Sequence, residues 1–315
     1  MPQTVLETRG LVKRFGSLTA VHELSLEVYE GEVFGFLGPN GAGKTTSIHM
    51  MCGLSAPDAG QVTIRGKPIV GGGADVRARV GVCPQSIVVW PRLRCLEQLE
   101  FIGQMYGVPA SEARSRGAKL LEELGLSEKS GEQARNLSGG MQRRLNIAMA
   151  LVHDPEIIVL DEPEAGLDPQ SRVKVRDFIL SMARKKTVIV TTHNMDEADR
   201  VADRVAIIDH GKLLVLDTPE ALRRKVGEGD VVEIGLAGDG EVGLQAKEAL
   251  GDRVRDASMD PARGVLTVRA LDAVGALASI LGALAQAGLK PGEVRVRENT
   301  LEDVFIQLTG RSLRE

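Results

Sequence analysis

A glycine-rich segment that ends in Lys and Thr carries the strongest chemical signal of the sequence. Residues 38–45, GPNGAGKT, fit the pattern G-x-x-x-x-G-K-[ST] between a predicted strand, Val33–Leu37, and a predicted helix that follows Gly43. Glycines allow backbone N–H groups to turn inward onto phosphate oxygens, and the helix N-terminus favours the same anion. Lys44 would then reach the β- and γ-phosphates, and the Thr45 hydroxyl would bind Mg²⁺. The pattern predicts a nucleotide-binding loop made of Gly38, Pro39, Asn40, Gly41, Ala42, Gly43, Lys44, Thr45 and Thr46.

Two adjacent carboxylates follow a fully apolar run in residues 156–163, EIIVLDEP. Asp161, at the end of a buried strand, suits a group that orients Mg²⁺ or its water. Glu162 is placed to polarise the water that attacks a phosphate. The alternative is a strand followed by an acidic turn, and the phosphate-binding loop upstream weakens that alternative.

A third motif, LSGGMQRR at residues 137–144, precedes a predicted helix with one apolar face. Ser138, Gly139 and Gly140 lie at the N-terminus of that helix, which forms a second site for an anion. At this motif the chain resembles the ATP-binding cassette (ABC) ATPases, the ATPase subunits of membrane transporters, whose signature sequence is similar to LSGGMQ. The resemblance covers residues 4–217. It implies that these three residues contact the γ-phosphate of ATP held by the opposite subunit.

Four further residues match the same family in chain order. The resemblance implies that Gln85, in GVCPQ, contacts Mg²⁺ and the attacking water, and that His193, in VTTHNMDEA, contacts the γ-phosphate. It also implies that Asp168, in AGLDP, crosses a dimer, and that Phe15, in VKRFG, stacks on adenine. For His193 the alternative is a structural histidine, and for Phe15 it is a core position.

One residue departs from the family pattern. After the sequence DEP the family usually has Thr, Ser or Phe, whereas this chain has Glu164. We expect Glu164 to be either a solvated turn residue or a like charge that perturbs Glu162.

The elements that must position these residues predict an α/β fold with a helical subdomain at about residues 88–152. The resemblance implies that this fold is a P-loop ABC ATPase core. We place the nucleotide-binding domain at residues 1–217 and a C-terminal accessory or regulatory domain at residues 218–315, with a charged, glycine-containing linker at 217–229. This second domain has the strand and helix order β-α-β-β-α-β of a small, ferredoxin-like α+β domain. Its predicted elements span residues 231–236, 242–250, 253–258, 265–269, 273–287 and 293–297.

The end of the chain adds a second resemblance. Residues 300–315, TLEDVFIQLTGRSLRE, are similar to the ending of ATPase subunits of the drug- and antibiotic-exporter branch, of the ABC-2, daunorubicin-resistance-like type. A plain terminal amphipathic helix is the alternative. The resemblance implies an exporter ATPase.

Composition narrows the class of protein. The net charge of −4 and the 3% content of aromatic residues argue against a dedicated nucleic-acid binder. Cys52, Cys83 and Cys95 form no close-spaced pair, which favours a reducing compartment without disulfides or a zinc site. Neither a signal peptide nor an apolar run of membrane-spanning length is apparent. We therefore expect a cytoplasmic protein.

The family resemblance supplies the partners. It implies a head-to-tail homodimer that closes on ATP and Mg²⁺ and drives a separate integral membrane permease, so that the chain lies on the cytoplasmic face of the cell membrane. The apolar segment SIVVWPRL around Trp90 is either the contact surface for that permease or part of the core. Two other functions compete: a soluble ABC ATPase that acts on ribosomes or DNA, and a regulatory sensor that binds ATP without turnover.

Overall fold

The computed structural model describes residues 2–70, 74–225, 230–236, 240–251, 254, 256–260, 263–270 and 273–310. The chain divides into two compact units, with the first ending at Pro219 and the second beginning at Glu220. This division lies two residues beyond the domain boundary that we predict from the sequence. No helix in the described ranges is long and apolar enough to cross a membrane.

The first unit contains two sheets. An antiparallel sheet has the order β2-β1-β4-β5, with β1 (Thr4–Phe15), β2 (Leu18–Tyr29), β4 (Ala59–Ile64) and β5 (Lys67–Pro68). A six-stranded sheet has the order β10-β9-β3-β8-β7-β6, with β3 (Val33–Leu37), β6 (Val80–Cys83), β7 (Ile157–Asp161), β8 (Thr187–Thr192), β9 (Arg204–Asp209) and β10 (Lys212–Asp217). All neighbours in the second sheet are parallel except β9 and β10.

The first two strands are longer than the sequence predicts. The sequence predicts only short strands at residues 5–8 and 24–28, bounded by glycine or charged turn residues, and Gly10 lies just beyond the first of them. In the structure Gly10 has φ of +58° and lies where the β1–β2 register shifts, between Thr8 and Leu11. The glycine therefore bends a continuous strand instead of ending it.

The parallel strands explain how distant motifs meet. β3, β7 and β8 are buried along their whole length, as apolar runs in a parallel sheet should be. Their carboxyl ends lie at one edge of the sheet, where ligands bind in open α/β folds. The phosphate-binding loop, Asp161 and Thr192 therefore come to the same edge.

Helices surround this sheet. The predicted helical segment contains α3 (Cys95–Met105), α4 (Ala110–Glu123) and α5 (Gly139–Leu151), and two short 3₁₀ turns lie between the last two. The other helices of the first unit are α1 (Lys44–Met51), α2 (Ala74–Arg77), α6 (Pro169–Met182) and α7 (Met195–Val201). Buried apolar residues of α3, α4, α5 and α6 form one core with strands of the parallel sheet.

The second unit has the predicted element order. After α8 (Pro219–Lys225) come β11 (Asp230–Leu236), α9 (Gly240–Leu250), β12 (Asp256–Asp260), β13 (Val265–Ala270), α10 (Ala273–Gln286), β14 (Pro291–Arg297) and α11 (Leu301–Thr309). The sheet order is β12-β13-β11-β14 with every neighbour antiparallel, and α9 and α10 pack on one face of it. Residues 226–229 of the predicted linker, Arg253 and Arg255 of the predicted strand and residues 311–315 of the tail lie outside the described residues.

Candidate nucleotide site

The phosphate-binding loop connects the end of β3 to the first residue of α1, Lys44. Gly43 caps α1 with φ of +97°, and a Cβ atom there would lie 2.4 Å from the carbonyl oxygen of Ala20. A Cβ atom at Gly38 would lie 2.4 Å from the carbonyl oxygen of Ile208. Both positions therefore require glycine, whose backbone conformations let N–H groups of the loop turn toward an anion.

The Lys44 ammonium lies within this loop. Its Nζ donates hydrogen bonds to the carbonyl oxygens of Gly38 at 2.7 Å and Pro39 at 3.1 Å, and it is 3.8 Å from Glu162 Oε1. Burial lowers the pKa of Lys44, and the carboxylates of Glu162 and Asp161 oppose this shift. The geometry holds a cation where phosphate oxygens would enter the loop.

Asp161 and Thr45 bring two oxygens together beside the loop. The Thr45 hydroxyl donates to Asp161 Oδ2 at 3.4 Å, and the Thr191 hydroxyl donates to the other carboxylate oxygen. Carboxylate and hydroxyl oxygens are ligands of the kind that Mg²⁺ takes when it also binds phosphates and water. These residues therefore fit the ion, and the described part of the chain holds no cluster of three His, Cys, Asp or Glu that would suggest a different metal.

The Glu162 carboxylate is the centre of the site. Gln85 Nε2 donates to Oε2 at 3.1 Å, and His193 Nδ1 lies 3.0 Å from Oε1. Since an ionised carboxylate only accepts hydrogen bonds, we assign the hydrogen of the imidazole to Nδ1. Glu162 itself is buried and has φ of +46°, a rare conformation for a residue with a side chain.

The structure separates Ser138 and Asp168 from these residues and brings them close to each other. Ser138 caps α5 by accepting a hydrogen bond from the Met141 N–H at 3.3 Å. Asp168 caps α6 through the Ser171 N–H at 3.0 Å, and hydrogen bonds from Ser171 lower the pKa of Asp168. A Cβ atom at Gly140 would lie 2.3 Å from Ser171 Oγ, so the two helix N-termini adjoin. We call the surface formed by these two N-termini the second anion surface, because helix N-termini favour anions.

Phe15 ends β1 and is 56% exposed. The core position weighed for it from the sequence is therefore wrong. Lys13 Nζ lies 5.8 Å from the centre of the Phe15 ring. An exposed ring of this kind is available to stack on a base.

Glu164 differs from the solvated turn residue that is one of its two expectations. Its side chain is buried, with the residue only 3% exposed, and its Oε2 accepts a hydrogen bond from Arg176 Nη2 at 3.0 Å. Burial raises the pKa of Glu164, and the neighbouring like charge that adds to this shift belongs to Glu197. The solvated-turn interpretation is wrong because α6 covers this side chain and supplies a counter-ion.

The sequence motifs do not predict two residues that contact the site, Thr191 and Arg143. The Thr191 hydroxyl accepts the Glu162 N–H at 3.0 Å while it donates to Asp161. Arg143, in the middle of the LSGGMQRR motif, donates to backbone carbonyls around the site. For Thr191 the only signal in the sequence is its place in the apolar run before His193.

The fold and this geometry define a P-loop nucleoside triphosphatase. The family model described as ABC transporter matches residues 21–165. The chain is 35% identical over 312 residues to the linearmycin resistance ATP-binding protein of Bacillus subtilis, with 99% of this chain and 100% of that protein covered. It is 36% identical to a daunorubicin resistance ATP-binding protein of Streptomyces coeruleorubidus, covering 98% of this chain and 97% of the other. It is 39% identical to the Nod factor export ATP-binding protein I of Ralstonia nicotianae, covering 99% of this chain and 95% of the other.

Solved structures agree with this assignment. A dimeric ATP-binding cassette in a post-hydrolysis state, bound to ADP and Pi, matches with a TM-score of 0.62 at 26% identity, covering 68% of this chain and 98% of that one. An ATP-binding subunit of an ABC transporter matches with a TM-score of 0.65 at 27% identity, covering 70% of this chain and 93% of that one. The chain belongs to the ABC transporter family, and it is an ATP-binding, ATP-hydrolysing subunit of that family. Membership favours the transport ATPase over the soluble alternative.

Proposed function

We propose that the chain hydrolyses ATP to drive export through a separate membrane permease. The observation that carries the proposal is the convergence of Gln85, His193 and Lys44 on the Glu162 carboxylate beside the phosphate-binding loop. Export is supported by three relatives whose names are those of linearmycin resistance, daunorubicin resistance and Nod factor export proteins.

The chemical step assigns a role to each of these groups. Backbone N–H groups of residues 38–46 and the Lys44 ammonium hold the phosphates of ATP, and Glu162 accepts a proton from water as the water attacks the γ-phosphorus. Gln85 and His193 orient that carboxylate through the two hydrogen bonds described above. Thr45, Asp161 and Gln85 would hold Mg²⁺, which neutralises charge on the phosphates.

The second anion surface explains why the active form would be a dimer. Ser138, Gly139 and Gly140 lie at the N-terminus of α5, and Asp168 lies beside them at the N-terminus of α6. In a head-to-tail homodimer Ser138, Gly139 and Gly140 would meet the γ-phosphate on the partner's loop. Asp168 would cross the interface, and Phe15 would stack on adenine in its own site. ATP then adds charge-assisted contacts across the interface, and hydrolysis removes them.

The hydrolysis proposal is tested with Glu162→Gln. This change keeps the size of the side chain but removes its ability to accept a proton, so steady-state phosphate release should fall by about 100-fold or more. Glu156→Gln is the matched control, because Glu156 immediately precedes the same strand at its opposite end and pairs with Arg65 and with Arg79, the latter at 3.2 Å. Wild-type turnover in Glu162→Gln would refute the assignment of Glu162.

The permease would dock on exposed apolar side chains near Trp90. The backbone of this segment is fixed, since the Val88 N–H donates to Asn146 at 3.2 Å and the Trp90 N–H donates to Gln98 at 2.8 Å. Its side chains are nevertheless exposed, and the Trp90 ring stands edge-on to Phe101 at 5.5 Å. The exposed apolar set is Ile87, Val88, Trp90, Leu93, Phe101 and Met105. A rigid apolar surface of this kind is typical of a protein interface.

This docking surface predicts the location of the protein. A peripheral subunit on the cytoplasmic face should co-sediment with membranes of cells that contain its permease. Val88→Asp should release it, because a buried charge at an apolar interface is costly. Leu180→Asp, at an exposed apolar position on α6, is the control and should stay with the membranes. Retention of Val88→Asp at the wild-type level would reject the surface.

We infer that the second unit is a dimer-stabilising or regulatory module. It has its own apolar core, and the groups described around Glu162, which are Gln85, His193 and Lys44, all belong to the first unit. Removing residues after 227 should weaken self-association or alter the rate of ATP hydrolysis. Unchanged values of both would reject this role.

A further inference from the structure

Arg143 is a buried cation whose partners are backbone carbonyls. The residue lies on α5 and is 1% exposed. A guanidinium has five N–H donors, and the structure gives Arg143 five hydrogen bonds. Their acceptors are the carbonyl oxygens of Pro84 at 2.6 Å, Gln85 at 3.0 Å, Asp161 at 2.9 Å, Glu162 at 2.5 Å and Pro163 at 3.0 Å. Burial of a charge is costly, and complete hydrogen bonding offsets much of that cost.

These five carbonyls belong to two segments that carry the hydrolytic groups. Pro84 and Gln85 follow β6. Asp161 is the last residue of β7, and Glu162 and Pro163 lie in the turn after it. The two strands are parallel neighbours, and the segments diverge beyond the last pair of their register, Cys83 with Leu160. Arg143 therefore bridges the strands where sheet hydrogen bonding has ended.

The same contacts stabilise the strained backbone of Glu162. Its N–H is bound by Thr191 and its carbonyl oxygen by Arg143 Nη2, so both polar groups of the residue are fixed. A positive φ at a residue with a side chain costs free energy and persists only when its surroundings impose it. This backbone directs the Glu162 carboxylate toward Gln85 and His193.

We infer that Arg143 is a positioning residue for ATP hydrolysis, which fixes Glu162 and Gln85 relative to each other and links them to the helix that begins at Ser138. The inference rests on the proposed role of Glu162. Arg143 follows Gly140 by three residues, so movement of the α5 N-terminus would be passed through its guanidinium to the hydrolytic segments of the same chain.

The neighbouring arginine provides a matched control. Arg144 is also buried, but its Nη1 donates to the carbonyl oxygens of Leu124 at 2.5 Å and Gly125 at 3.4 Å, at the end of α4. Its Nε donates to the Gly140 carbonyl oxygen at 3.4 Å within α5, and none of its acceptors lies in the segments that Arg143 bridges. Replacement of either arginine with lysine retains the charge and loses the planar fork of donors. The two variants therefore have similar chemistry and differ in which segments they release.

The test compares Arg143→Lys with Arg144→Lys in the full chain. For Arg143→Lys we expect kcat to fall by about 10- to 100-fold, because small misplacement of catalytic groups has effects of this size. The KM for ATP and ATP-dependent dimerisation should stay near wild type. For Arg144→Lys, kcat should remain near wild type at a similar melting temperature.

Two outcomes would overturn the inference. One is wild-type kcat in folded Arg143→Lys, and the other is an equal loss of kcat and melting temperature in both lysine variants. Combining Arg143→Lys with Glu162→Gln should cause no loss beyond Glu162→Gln alone, since the two residues act through one group. If Glu162→Gln retains wild-type turnover, the proposed function fails. If it is inactive and Arg143→Lys is fully active, only this inference fails.

Discussion

The buried Glu164–Arg176 pair makes a prediction about stability that can be worked out from the structure. Arg176→Ala removes the cation that faces a carboxylate with only 4% of its side chain exposed. Breaking a buried pair in this way costs about 3–5 kcal/mol of unfolding free energy when the remaining charge is fully buried. The Arg176 side chain is 19% exposed, so water can enter from its side, and we expect a loss of about 3 kcal/mol.

The loss should depend on pH. Burial already raises the pKa of Glu164 above its usual range, and Arg176→Ala removes the hydrogen bond that opposes the shift. Between the unfolded and folded pKa values of Glu164, the folded chain keeps a proton that the unfolded chain has lost. The free energy of unfolding therefore falls as pH rises through this interval. The deficit of Arg176→Ala should be small near the ordinary pKa of glutamate and complete above the raised one.

Thermal unfolding of four proteins measures this effect. For a unit of this size, a loss of about 3 kcal/mol lowers the melting temperature by roughly 6–12 °C. Arg176→Ala should show this deficit at neutral pH relative to wild type. Glu164→Gln combined with Arg176→Ala should recover most of it, because a neutral side chain then occupies the site, and Glu164→Gln alone serves as the control. The reasoning is refuted if the double variant is no more stable than Arg176→Ala, or if the deficit does not shrink as the pH falls toward the ordinary pKa of glutamate.

Three further predictions concern single side chains. Phe15→Ala should raise the KM for ATP by roughly tenfold through lost stacking, whereas Phe15→Tyr should bind ATP like wild type. Equal KM values for Phe15→Ala and the wild type in a steady-state assay would contradict this. Thr191→Val should lower kcat by about tenfold or more with little change in KM, because Asp161 and the Glu162 N–H both lose a partner, and unchanged kcat would argue against it. Gly81→Ala should lower the melting temperature, since its Cβ would lie 2.0 Å from the carbonyl oxygen of Ala150. Gly282→Ala should raise the melting temperature slightly, because a Cβ at this position of α10 would meet open space.

Local sequence predicts those parts of the site that a continuous segment encodes. The loop at residues 38–45 combines its own glycines with the strand before it and the helix after it, so its shape follows from adjacent residues. Apolar runs such as Ile157–Leu160 predict buried parallel strands. Strand direction then predicts that Asp161 and Thr45 meet at one edge of the sheet. The order of elements in the second unit follows from the same patterns of periodicity and is confirmed.

Contacts between distant segments are not predictable in this way. Glu164 stands in a turn in the sequence, and its burial depends on how α6 packs over that turn. Arg143 is one of two adjacent arginines in its motif, and its role becomes apparent only when two strand ends present five carbonyls to it. Gly10 shows a third case, because a positive φ can mark either a turn or a bulge within a paired strand.

The nucleotide retained by Glu162→Gln after incubation with ATP and Mg²⁺ tests the central claim most directly. If Glu162 is the proton acceptor in a site closed by a second copy of the chain, the purified variant should hold intact ATP and should have the mass of a dimer in solution, while the wild type should hold ADP. ADP in the variant, formed at the wild-type rate, would contradict the role of Glu162. A monomer that holds ATP at saturation would contradict closure across two chains.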